Sequence, residues 1–535
     1  MLRRQVWIAN LVIVMAVLGT AGALAAGALV LWPRTPSHRV ERPLPPPAAG
    51  AFEHGGQPLS DPALAALLEH QLTDLVIATD ADRRAGGLRA GPRTAQIAAL
   101  LAPPAVTAHS PALARAWANM ISALDRWVYV PRSGLDYDGI VSTFKDQVHA
   151  VSDQLAAAGL GYYLEGDVIT SGSAAHALIY AYRVEEVSFV TAHGPEISVP
   201  GEKRRVLGLR RLDHLNFAHA LLGMQSEDLG DPVLLLDQID EHVARRTLPV
   251  LAPGAPYPLG DPSWAMLAEG TQVRGAAGAA VRAELASALG PDAVAAGAIG
   301  SLLAERATIL DGWNLDLAQR GWRLPRVDTL FLPDGFLAQL EAVVPHTQMT
   351  RVVAIEDELS SKEAPRIAGR CQQLVAATVR RHEAQHGLDD DREPRLPYPE
   401  PLEVHIGAAE DRLGHPRNFA DHCRNELSAY TSQIANDPVT PKTAYFQVAN
   451  FAFDRHMWGT PESYAAVLIS EGLARHLGSE GEPGLPIIHD GEIDRSRMAA
   501  AARVVAAATP AALRAAARAT WHDLYGEDIT AIVDR

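Results

Sequence analysis

Cysteine is nearly absent from this chain: Cys371 and Cys423 are the only two in 535 residues. A disulfide framework is therefore excluded. Cys371 lies about three helical turns before His382 and Cys423 about one turn before Glu426, unmatched positions that argue against a bridge between them. The chain also lacks a concentrated Lys/Arg run with interleaved aromatics beyond its first residues, and its formal net charge of −16 repels phosphate backbones. Nucleic acid is not an expected partner. No internal repeat of fixed period is found.

The composition is that of a folded protein, 48% hydrophobic and 21% charged, rich in helix-favouring alanine. The length exceeds what one hydrophobic core supports, so at least two domains are expected. Residues 1–4 are a short basic tail, and Gln5 to Trp32 carries no charge. At about 1.5 Å per residue in a helix, that run is long enough to cross a hydrocarbon core of about 30 Å. Trp7 and Trp32 stand near its ends like interfacial aromatics. A cleaved signal peptide is the alternative, since Ala21-Gly22-Ala23 and Ala23-Leu24-Ala25 resemble cleavage sites. Either way the bulk is expected outside the cytoplasm, as a single-pass membrane protein if the segment is retained. Residues 33–50 hold six prolines and read as an extended spacer.

Residues 51–345 are expected to form an α/β domain of unassigned role. Helical patterns run to about Asp125, short strands are expected at Ala177–Val184 and Val187–Val190, and helix is expected again through Val233-Leu234-Leu235-Leu236-Asp237. His214 and His219, about 140° apart on a helix, are unsuited to sharing a metal. Asp237 and Asp240 read as a solvated helix edge.

The chemistry concentrates in residues 346–535. From Ile367 to His386 apolar residues recur at helical spacing, and Ile367, Cys371, Leu374/Val375, Thr378, His382 and His386 share one face. Four residues along a helix is a turn of about 40° and a rise of about 6 Å, so both imidazoles can reach one Zn²⁺. Glu383 then stands beside the ion as candidate general base, and Gly387 suits a C-terminal cap. Zinc needs a third protein ligand. Glu426 is the preferred candidate, on a second helix starting near Pro416 with Phe419, Cys423, Glu426 and Tyr430 on one face; Glu471 in Ser470-Glu471-Gly472-Leu473-Ala474 is the rival. His422, one turn before Glu426, reads as a surface histidine. Tyr430, His456, Tyr464 and His476 qualify by type as oxyanion donors.

The stretch Arg380-Arg381-His382-Glu383-Ala384-Gln385-His386, with an expected edge strand at Thr350-Arg351-Val352-Val353-Ala354-Ile355, resembles the active-site helix and substrate-binding strand of the zincin metallopeptidases. Arg392 and Asp389 occupy the positions where the metzincin branch would carry its third ligand and glycine, and Asp389-Asp390-Asp391 reads as a solvated turn. Asn425-Glu426 followed by Ser428 is similar to the third-ligand helix of gluzincins, with Tyr430 in place of their second-shell Asp. The resemblance covers at most Thr350 to about Gly478; joined to the patterns above, it gives the expectation of an α+β, mainly helical protein with an N-terminal transmembrane anchor, an α/β middle domain and a C-terminal zincin-like metallohydrolase domain. It further implies a zinc peptidase with His382, His386 and Glu426 as ligands, Glu383 as base and a protein or peptide as substrate. The alternatives are a non-catalytic envelope scaffold with a zincin fold, or a zinc amidase acting on cell-wall material.

Overall fold

The computed structural model describes residues 59–534 apart from 86–90, 131–136, 172–173, 194–201, 214–221, 226–230, 260–267, 320–328, 333–335, 342, 393, 412–413, 416, 479–486 and 490–491. The tail, apolar run and spacer expected at 1–50, together with His214, His219 and Pro416, lie outside the described residues. The protein is a mixed α+β structure, mainly helical, with a curled sheet. It divides into two compact units, Met1–Val187 with Gly208–Ala220, and Ser188–Leu207 with Leu221–Arg535.

In the first unit, helix α1 (Pro111–Trp127) is started by Ser110, whose side chain accepts from the Leu113 N–H at 3.0 Å, with Pro111 in its first turn. It buries Leu113, Trp117, Met120, Ile121 and Leu124 at helical spacing. Helix α2 (Tyr137–Ala157) packs on strand β1 (Tyr162–Ser171). That strand pairs antiparallel with β2 (Ala174–His193), from Tyr162↔Arg183 to Ser171↔Ala174. The two short strands expected at Ala177–Val184 and Val187–Val190 are thus parts of one long strand, because no turn residue separates them. A buried guanidinium, Arg93, is neutralised by Asp82 at 2.6 Å and Asp125 at 2.7 Å.

The second unit takes in the distal end of β2 and the first part of β3 (Glu202–Arg211), with β4 (Gly223–Gln225), β5 (Pro232–Leu235), a small hairpin of β6 (Ile488–His489) and β7 (Glu492–Ile493), and β8 (Ala531–Asp534). Strand β8 pairs antiparallel with β2 from Val190↔Asp534 to His193↔Ala531. Strand β5 lies between β3 and β4, and β4 runs antiparallel to it from Gly223↔Leu234 to Gln225↔Pro232. Among the described residues β4 is therefore an edge strand. The helix expected through Val233–Leu235 is this strand β5: all four of its residues are buried, and so short an apolar run shows no period.

Helices α3 (Ala268–Leu289) and α4 (Ala293–Gln319) follow, joined through Gly290-Pro291-Asp292. The stretch Glu269–Leu317 contains an 18-residue window of mean hydropathy 1.4 and is long and apolar enough to span a membrane by length and composition alone. Its Val273, Val281, Leu285, Leu289, Ile299 and Leu303 belong to the same continuous core as Phe446, Phe453 and Ile469, while 33% of its most apolar window is buried. The edge strand expected at Thr350–Ile355 is instead part of helix α5 (His346–Leu359), whose Met349, Val352, Ile355 and Leu359 are buried at helical spacing. The β-branched pair Val352-Val353 suggested a strand, and packing of one helical face outweighed that propensity. Helix α6 (Glu363–Asp390) rests against β4, β5 and β8 and packs along α7 (Asn418–Asn436), while α8 (Pro461–His476) packs on α7.

Candidate metal centre

Helix α6 starts with Pro365 in its opening turns and runs 28 residues without a break. Gly387 does not end it: the glycine is buried within the helix, which closes at Asp390 with Asp391 as its C-cap. Ile367, Cys371, Val375, Thr378 and His382 are buried as expected, but so are Arg381, Glu383, Ala384 and Gln385. Sheet and α7 together cover the helix, so the motif lies in an interior and not on a half-wet face.

There the two histidines converge. His382 Nε2 and His386 Nε2 are 3.1 Å apart, and their rings meet edge to face at 88°. Glu426 from α7 completes a triangle, Oε2 at 3.6 Å from His382 Nε2 and Oε1 at 3.7 Å from His386 Nε2. One ligand atom from each of the three lies within 4.8 Å of the others. Atoms held about 2.0–2.1 Å from a tetrahedral ion sit about 3.3–3.4 Å apart; the histidine pair is just under that spacing, and each carboxylate oxygen, measured to a different histidine, is just over it.

The electrostatics of this triad follow from its removal from water. Burial, and then the neighbouring Glu462, push the Glu426 carboxyl up to about 8. Burial and His422 bring His386 down to about 4; burial and His386 depress His382 well below the usual histidine range, with the Gln433 side chain acting in the opposite sense. A carboxyl that resists ionising beside two neutral imidazoles lacks positive charge, and a divalent ion held by the three would supply it while using the imidazoles in their neutral, ligating form.

Glu383 lies next to this triad on the same helix, buried, with Oε2 lacking a hydrogen-bond partner. Burial and Glu426 raise its carboxyl well above the ordinary glutamate range. Strand β4 reaches it: a Cβ on Gly223 would stand 2.6 Å from Glu383 Oε1, 2.7 Å from its Cγ and 2.8 Å from the Val233 carbonyl oxygen. Only a residue without a side chain lets the edge strand come so close. We expect Gly223→Ala to push the Glu383 side chain or β4 aside and to destabilise the fold by about 1–3 kcal/mol, the usual cost of overpacking. A thermal midpoint equal to that of the wild type would refute this.

No protein-family model, no curated protein and no solved structure matches this chain. What the centre can do is therefore read from its own residues.

Of the other sequence candidates, Glu471 is not brought to the triad; its carboxylate accepts the Ile487 N–H at 3.3 Å. Tyr430 is at the centre, its ring 4.2 Å from that of His382, and burial with Glu426 drives its hydroxyl far above the usual tyrosine range. His476 pairs instead with Asp523 at 2.8 Å, and His456 is exposed on a short turn. Tyr464 stacks edge-on with the partly exposed Phe419. His422 is exposed and acts on His386 only through its charge. Cys371 and Cys423 are both free and buried.

Two acidic residues read as solvated are buried, and a third is half-buried. Asp389 is buried in α6, accepting hydrogen bonds from Ser428 and, at 2.7 Å, from Gln385. Asp237 is buried and Asp240 accepts from Gln372 of α6. The charge run Asp389-Asp390-Asp391 suggested solvent, but helix α6 continues through its first two members and turns one inward. Gly223, Gln433, Glu462 and Asp437 carried no signal in the sequence; each reaches the neighbourhood of the motif from a distant segment.

Proposed function

We propose that the chain is a membrane-anchored, zinc-dependent peptidase of gluzincin-like design, acting outside the cytoplasm on protein or peptide. The observation that carries the reading is the convergence of His382, His386 and Glu426, with the free oxygen of Glu383 beside them. The uncharged run Gln5–Trp32 supports the membrane location. His382, His386 and Glu426 would hold the ion, which when bound lowers the pKa of a water toward about 7 and polarises a scissile carbonyl. Glu383 would accept the proton of the attacking water at Oε2 and return it to the leaving amine. Tyr430, whose ring lies 4.2 Å from that of His382, would donate to the developing oxyanion. Strand β4, an edge beside the base, offers backbone groups along which an extended peptide can lie.

Metal analysis of the purified chain is expected to find one zinc per molecule, and its absence would overturn the reading. Loading is also expected to depend on pH. At pH 7 the proton that zinc displaces belongs to Glu426, held up to about 8, because both histidines are already neutral. Apparent affinity then rises about tenfold per pH unit toward pH 8 and levels above it. The metal-free chain behaves in the opposite way. Glu426 at about 8, and Asp389 and Glu284 at about 7, sit above model values of 4.5, 3.8 and 4.5, so the stability they favour at low pH is lost as pH rises through 7 to 8. The depressed histidines act only below their model value of 6.5. A thermal midpoint that falls between pH 6.5 and 8 without zinc, and recovers with it, is the expected calorimetric result.

A further inference from the structure

We propose that Asp389 and Ser428 are positioning residues that preset the spacing of His386 and Glu426, so that the ligand triad is assembled in the folded chain before an ion arrives. The proposal rests on the metal-binding reading above.

Asp389 lies one helical turn beyond His386 on α6, and Ser428 two residues beyond Glu426 on α7. Their hydrogen bond joins the two ligand-bearing helices without using any ligand atom. Both residues are buried, at 8% and 0% exposure, so no water replaces the contact cheaply if the helices part. Gln385 Nε2 holds the other Asp389 oxygen at 2.7 Å, which fixes the carboxylate at both ends. The Ser428 hydroxyl also lies 2.8 Å from the Asn425 carbonyl and is thereby tied to the turn that carries Glu426.

The far side of the triad is held independently. Asp437, at the end of α7, accepts from Thr378 Oγ1 at 2.9 Å and pairs with Arg381 at 3.2 Å, while its other oxygen caps the N–H groups of Val439 and Thr440 at 2.8 and 2.7 Å. Thr378 and Arg381 precede His382 on α6 just as Asp389 follows His386. A slide or splay of α6 against α7 would break a buried polar contact on one side of the triad or the other. The metal has little tolerance for such a shift, because its ligand distances hold within about 0.2 Å. Asp389–Ser428 is the side that can be tested gently, since Asp437 also anchors Arg381 and the turn after α7.

The test is the zinc affinity of the full chain, by competition with a chromophoric chelator, read beside the thermal midpoint of the metal-free protein. Asp389→Ala and Ser428→Ala are each expected to weaken zinc by about 10- to 100-fold, the range for outer partners of metal ligands. The double variant is expected to be no weaker than either single one, since both remove the same contact. Asp389→Asn, which keeps an acceptor for Ser428, is expected to restore most of the loss. Unchanged affinity in both alanine variants, whatever happens to the thermal midpoint, overturns the proposal and leaves the metal reading standing. A wild-type chain that takes up no zinc overturns both. If Asp389→Ala fails to fold, Ser428→Ala, which removes a single hydroxyl, decides by the same criterion.

Discussion

Glu383→Gln is expected to lower peptide hydrolysis by about 10²- to 10⁴-fold, the contribution of a positioned general base, while zinc content stays at that of the wild type. The substitution is nearly isosteric and removes only the ability to take a proton. Glu383 is not among the three residues whose ligand atoms converge, so metal retention is the control that separates base from ligand. Its Oε2 is buried without a partner, and an amide placed there loses no structural hydrogen bond of that oxygen. The fold should therefore survive, as a thermal scan of the variant would establish. Activity at wild-type level in zinc-loaded protein would remove Glu383 from the mechanism.

Glu426→Ala is expected to weaken zinc by more than about 100-fold, beyond the range of outer-shell changes, whereas Glu471→Ala leaves affinity unchanged. Both glutamates suit a third ligand by sequence, and the distances separate them. Glu426 reaches His382 and His386 at 3.6 and 3.7 Å, while Glu471 is engaged with the backbone N–H of Ile487. Removing Glu426 also relieves a half-buried carboxyl held up to about 8, so the metal-free variant should be no less stable than wild type near pH 7. Chelator competition together with thermal scans of both variants tests the pair. Equal zinc loss in the two would transfer the ligand role from geometry to some arrangement not seen in this structure.

Local patterns carried much of this site. The 3.6-residue period from Ile367 to His386 required a helix, and a four-residue spacing on it puts two imidazoles at one point irrespective of the rest of the fold. The face bearing Cys423, Glu426 and Tyr430 was legible for the same reason. Short apolar or β-branched stretches were not. Val233–Leu235 became a strand and Thr350–Ile355 a helix, because runs of four to six such residues suit either element and the surrounding packing chooses. Charge misled where burial was decided at long range, as with Asp389, whose partner Ser428 lies 39 residues away.

By itself, then, the sequence determined that one helix presents His382, Glu383 and His386 together, because helical geometry is local and repeats with every turn. Only the tertiary structure decided which carboxylate joins them, that Gly223 of β4 presses on the Glu383 side chain, and that Asp389 is buried between two helices. Those relations depend on how segments distant in the chain pack, and the free energy of burial that arranges them is a property of the whole core and of no single stretch within it.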